Sequence, residues 1–171
     1  MNVFDFAMKM EVDGKSYYEK LAKKTTLEGL KTIFTRLAAD EQKHYETFQQ
    51  LKTSGTVPAM QDTTILAEAK NIFETLPKPE KTLKGIEEDL AAYRQAMKIE
   101  ADSFRFYEES AGKENTPATK KLLLKIAAEE HKHFDVLENI FQFVNAPNQY
   151  LAWAEFSNLD EFRQFGRDVE D

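Results

Sequence analysis

The chain contains no cysteine. That excludes disulfides, thiolate-bound zinc and iron–sulfur clusters, so any redox chemistry must draw its electrons from outside the chain. Glycine and proline are scarce, 6 and 5 among 171 residues, which favours helix over sheet. No run approaches the roughly 18 apolar residues of a membrane span. The opening MNVFDFAMKMEVDGK is interrupted by charge too early for a secretory signal, so the expected location is cytoplasmic, with no membrane partner. Positive charge is in deficit, 23 Lys and Arg against 30 Asp and Glu, a net charge of -7. Phosphate binding needs a basic face, and nucleic acid is therefore excluded as a partner.

What the chain does have is a soluble composition, 42% hydrophobic and 31% charged, and length enough for one substantial core. It also has an internal repeat. AMKMEVDGKSYYEKLA at 7–22 returns as AMKIEADSFRFYEESA at 96–111, and LAADEQKHYETFQQL at 37–51 returns as IAAEEHKHFDVLENI at 126–140. A single offset of 89 residues, without a gap, covers both, and 15 of 46 aligned positions are identical. Glu11 maps on Glu100, Tyr18 on Tyr107, Glu41 on Glu130 and His44 on His133. A duplicated helical hairpin accounts for this pattern.

Each half reads as two helices. The first pair spans about 3–24 and 27–52, with Thr26 as N-cap and Gly55 past the end. The second spans about 88–111, stopping near Gly112, and then from Asn115 or Thr116 and Pro117 to about Val144. Between the repeats, 3–53 and 88–144, lies a connection at 54–87 that holds LPKPE and a short helical pattern, ILAEAKNIFETL. Hairpins with short turns joined by one long crossover define a ferritin-like topology. The expected fold is all-α, a four-helix bundle over 1–145. A short helical tail at 146–171 carries Tyr150, Leu151, Trp153, Phe156, Leu159, Phe162 and Phe165 to pack on the bundle or on a partner subunit.

The inward stripes of these helices place acids where a bundle wants leucine. In the second helix Leu30, Phe34, Leu37, Glu41, His44, Phe48 and Leu51 follow a 4-3 alternation, and Thr119, Leu123, Ile126, Glu130, His133, Leu137 and Ile140 repeat it. The stripe Phe4, Ala7, Glu11, Gly14, Tyr18, Leu21 and its counterpart Tyr93, Ala96, Glu100, Ser103, Tyr107, Ser110 each carry one glutamate. Four glutamates and two histidines thus converge mid-bundle. Burying an uncompensated carboxylate costs several kcal/mol or more, and no Lys or Arg sits on these stripes to neutralise the set.

Two divalent cations would remove the conflict, and oxygen with imidazole nitrogen suits iron or manganese, with zinc as a further candidate. Glu-x-x-His puts both donors on one helix face, since three residues turn an α-helix by about 300°. One Glu from each of two helices and Glu-x-x-His from the other two is the ligand set of two-metal carboxylate bundles. Glu11, Glu41, His44, Glu100, Glu130 and His133 are accordingly the candidate metal ligands. Asp40 and Glu129 adjoin the motif glutamates on another face and are assigned to surface charge, and the off-stripe His131 is read as a solvated neighbour rather than a ligand.

On these residues the chain resembles the rubrerythrin branch of the ferritin-like superfamily, and its internal symmetry resembles symerythrin-type members, over about residues 3–144. The resemblance implies a non-haem centre of two iron ions, with hydrogen peroxide or dioxygen as oxidant. It implies Glu41 and Glu130 as bridging ligands and Glu11 and Glu100 as terminal carboxylates. Tyr18 and Tyr107 match family tyrosines whose phenols can orient the ligand carboxylates, which places them with the glutamates among the catalytic candidates.

Two departures stand out: Ser103 occupies the position of an extra glutamate in rubrerythrins proper, and the cysteine-ligated iron domain many of them carry is absent. The function expected is a di-iron oxidoreductase, a peroxidase or oxidase acting in oxidative stress. Its electrons would come from an external rubredoxin-like protein or flavoprotein, and it is expected as a homodimer. The alternatives are an iron-binding ferroxidase or iron buffer, and a structural module holding adventitious metal.

Overall fold

The computed structural model describes residues 2–76 and 86–145. The prolines of LPKPE and the aromatics of the tail lie outside the described residues. Five helices, α1 Val3–Lys24, α2 Glu28–Ser54, α3 Ile65–Thr75, α4 Ile86–Lys113 and α5 Pro117–Asn145, and no strand make up the described part. The fold is an all-α, ferritin-like bundle. Helices α1 with α2, and α4 with α5, form the two extensively packed hairpins, and the short α3 of the crossover lies against α2 and α5.

The helix ends follow local chemistry, with two corrections to the sequence-based expectation. Asn2 caps α1 by accepting from the Asp5 N–H at 2.8 Å. Helix α2 starts from Leu27, which makes no side-chain cap, rather than from Thr26; Thr25 Oγ1 instead accepts the Leu27 N–H at 3.3 Å. Its end is as expected: Gly55 takes φ 68°, a left-handed conformation costly for a residue with a Cβ, and its N–H returns to Leu51 O at 2.9 Å. Helix α4 runs through Gly112 to Lys113, because nothing there forces a positive φ. Pro117 opens α5 at the position where a missing N–H is harmless.

The stripes read from the sequence are the buried faces. The core divides into two apolar clusters with polar residues between them. One gathers Tyr18, Phe34, Leu37, Tyr93, Leu137 and Ile140 around α3, which contributes Ile65, Ala69 and Phe73. The other gathers Ala7, Phe48, Tyr107, Leu123 and Ile126 at the opposite end. Fully burying a side chain such as Phe34 or Leu137 contributes about 1.5–3 kcal/mol. The two clusters thus clamp the middle of the bundle from both ends. Tyr17 Oη donates to Ala92 O at 2.8 Å, tying α1 to α4 across the hairpins.

Candidate metal centre

The middle layer holds Glu11 of α1, Glu41 and His44 of α2, Glu100 of α4, and Glu130 and His133 of α5. All four glutamates are at most 4% exposed, and both histidines are fully buried. Glu11, Glu41, His44 and Glu130 form one quartet, and Glu41, Glu100, Glu130 and His133 a second; in each, one donor atom per residue lies within 4.8 Å of the others. Glu41 and Glu130 belong to both. The geometry therefore brings together all six residues selected from the stripes.

The histidines turn Nδ1 inward. His44 Nδ1 lies 3.1 Å from Glu130 Oε1 and 3.4 Å from Glu11 Oε2. His133 Nδ1 lies 3.0 Å from Glu41 Oε1, 3.1 Å from Glu130 Oε2 and 3.7 Å from Glu100 Oε1. The two rings stand 5.8 Å apart, nearly parallel at 21°. Space is left on the α1 side by Gly14, where a Cβ would come within 3.3 Å of Glu41 Oε2.

A layer of further side chains holds these donors. Tyr18 Oη donates to Glu100 Oε1, and Tyr107 Oη to Glu11 Oε1. Each tyrosine thus serves the glutamate of the other repeat, so the hairpins exchange hydrogen bonds across the centre. Burial, with the nearby Glu11 and Glu130 carboxylates, raises the Tyr107 phenol well above its ordinary value, so it remains a donor.

Asp40 and Glu129 are not surface charges, which corrects the reading from helix faces alone. Glu129 Oε2 lies 2.9 Å from His44 Nε2, and Asp40 Oδ2 lies 3.2 Å from His133 Nε2. Each acid holds the histidine of the other hairpin. Burial opposes their ionisation, but the facing imidazoles and Lys43 hold both carboxyls below their usual range. The signal for them was present: 40 and 129 are 89 residues apart, an acid before each motif glutamate. His131 stays outside the centre, its side chain 43% exposed and 3.0 Å from Glu108.

Without a cation the pocket is in electrostatic conflict. Burial raises Glu41 and Glu100 well above the ordinary carboxyl range, and Glu130 adds repulsion. Burial pushes both imidazoles towards the neutral form, yet the surrounding carboxylates outweigh it and raise them well above theirs. The buried side-chain atoms with no hydrogen-bond partner, among the described residues, are Glu11 Oε2, Glu41 Oε1, His44 Nδ1, both Glu130 oxygens and His133 Nδ1. Every one belongs to this cluster. Unpaired buried donors and acceptors are rare, because each costs about 1–3 kcal/mol. Carboxylate and imidazole atoms orphaned together fit divalent metal, and the sulfur-free set fits iron, manganese or zinc.

A family model described as Rubrerythrin matches residues 2–141. The chain belongs to the rubrerythrin family. No curated protein and no solved structure matches it. Within a rubrerythrin, the buried Glu and His cluster is where metal can be held. Ser103, buried on α4, keeps a hydroxyl where the resemblance leads one to expect a further carboxylate.

Proposed function

We propose that this rubrerythrin-family chain is a di-iron oxidoreductase that reduces hydrogen peroxide or dioxygen with electrons from an external donor. The observation carrying the proposal is the set of orphaned, inward-facing donor atoms in two quartets that share Glu41 and Glu130. Glu11 and His44 would hold one ion, Glu100 and His133 the other, and the two shared glutamates both. Two ferrous ions so held would supply the two electrons, and the Lewis acidity, that convert one peroxide and two protons into two waters.

The chain's own residues set the conditions. The phenols of Tyr18 and Tyr107 hold Glu100 and Glu11 in orientation, and Glu129 and Asp40 fix the histidines with Nδ1 inward. The apolar clusters on both sides keep bulk water from the buried donors. With no cysteine among its 171 residues, the chain holds no thiolate-bound iron site of its own to pass electrons to the centre, and the electrons of the proposed reaction come from an external donor such as a rubredoxin-like protein or flavoprotein.

The experiment is anaerobic. Protein loaded with iron is reduced, one equivalent of hydrogen peroxide is added, and ferric absorbance is followed by stopped flow. Oxidation much faster than that of free ferrous iron supports the proposal. Oxidation no faster than free iron, or iron uptake well above two ions per chain, would replace it with iron storage or buffering.

A further inference from the structure

The crossover between the hairpins occurs once, so nothing in it is repeated, yet it reaches the layer behind the repeated centre, most directly through Thr63. Thr63 donates its backbone N–H to Glu129 Oε1 at 2.8 Å and its hydroxyl to Asp40 Oδ2. The other oxygen of Glu129 faces His44 Nε2, while Asp40 Oδ2 also faces His133 Nε2. One residue of the connection therefore touches both acids that hold the histidines. Lys43 completes the layer, with Nζ 3.2 Å from Asp40, 3.3 Å from Glu129 and 3.4 Å from Gln61 O of the crossover.

We propose that Thr63 is a positioning residue of the metal centre, a clasp through which docking of the crossover on α2 and α5 controls how tightly both ions are kept. The inference rests on the metal-binding reading of the centre and goes beyond it. A carboxylate can aim an imidazole only if it is itself held. Asp40 has a short side chain, 17% exposed, and Thr63 and Lys43 are what hold it besides the histidine. Glu129 is longer; His44 and Lys43 hold one oxygen of its carboxylate, and the Thr63 amide holds the other and so fixes the plane of the group. Removing the direct partner of a ligating histidine changes metal affinity by about 10–100-fold, and Thr63 acts through two such partners, which places its effect at the lower end of that range. Thr63 Oγ1 also accepts the Ile65 N–H at 3.2 Å, so the start of α3 depends on the same hydroxyl. Coupling of this sort is reciprocal: if the clasp retains metal, metal must tighten the clasp.

The test uses the full chain and zinc(II), which binds such donors without redox change. Zinc release to excess chelator is timed for the wild type, Thr63→Val and Thr63→Ser. Thr63→Val, which keeps shape and loses the hydroxyl, is expected to release zinc about tenfold faster, and Thr63→Ser at close to the wild-type rate. In the wild type, zinc loading is expected to slow amide exchange across residues 56–64. Thr63→Val that releases zinc at the wild-type rate, while lowering only the thermal midpoint of the metal-free protein, would show that the residue serves α3 alone and would overturn the clasp. Unchanged exchange at 56–64 on zinc loading would do the same. A wild type that retains no zinc would overturn the metal reading itself along with this inference, a result distinguishable from failure of the clasp alone.

Discussion

Replacing Glu130 by glutamine probes the charge balance of the centre most directly. The substitution keeps the shape of a side chain 1% exposed and removes one negative charge from the residue shared by both quartets. At free metal 100-fold above the dissociation constant, binding at one site adds about 2.7 kcal/mol to stability, and two such sites about 5 kcal/mol. For a chain of this length that raises the unfolding midpoint by about 10–20 °C. Losing a shared ligand should weaken each site by at least the 100-fold upper range of an outer-layer change. At the same free metal each site then contributes about 0.4 kcal/mol, and the midpoint shift shrinks to about 2–3 °C. The assay is thermal unfolding with and without zinc(II), with metal counted after gel filtration. Wild type should retain two ions per chain and the variant one or none. A variant that keeps two ions and the full midpoint shift would refute the electrostatic reasoning, because Glu130 would then be dispensable to both ions.

Three further outcomes are expected. Tyr107→Phe removes the donor to Glu11 while leaving the ring packed 5.5 Å from Phe48, and should cost the metal-loaded protein about 1–3 kcal/mol. An unchanged unfolding midpoint of the loaded form would show that the phenol does not hold Glu11. Gly14→Ala exchanges a poor helix residue for the best, worth up to about 1 kcal/mol to the metal-free fold. Its Cβ would also crowd Glu41 at 3.3 Å. The metal-free midpoint should therefore rise while zinc affinity falls, and rising affinity would contradict the crowding argument. Finally, His44, His133, Glu41 and Glu100 all hold protons above their ordinary values without a cation, so metal must displace those protons. Apparent zinc affinity should fall as pH falls, and calorimetry in buffers of different ionisation enthalpy should show proton release at about pH 7. Binding without proton release would count against these protonation states.

Much of this protein is one-dimensional information. A repeat at constant offset needs no contacts to be seen, and the periodicity that turns Glu41 and His44 inward with Phe34, Leu37 and Phe48 is a property of a single helix. The bundle, its hairpins and all six donors of the central cluster were legible for that reason, as was the short helix inside the crossover. Helix ends were less so, because Leu27 rather than Thr26 precedes α2 through a turn that depends on how the chain enters the bundle.

Tertiary structure decided which groups serve which. Asp40 lies on the flank of α2, and a stripe drawn on that helix alone assigns it to solvent. It is held in place by His133, 93 residues away, and by a crossover that covers this flank. The same holds for Glu129 with His44, and for the tyrosines, each reaching the glutamate of the other repeat. Periodicity records the direction a side chain takes from its own helix axis. Partnership depends on which helix stands opposite, and only packing the two hairpins face to face supplies that.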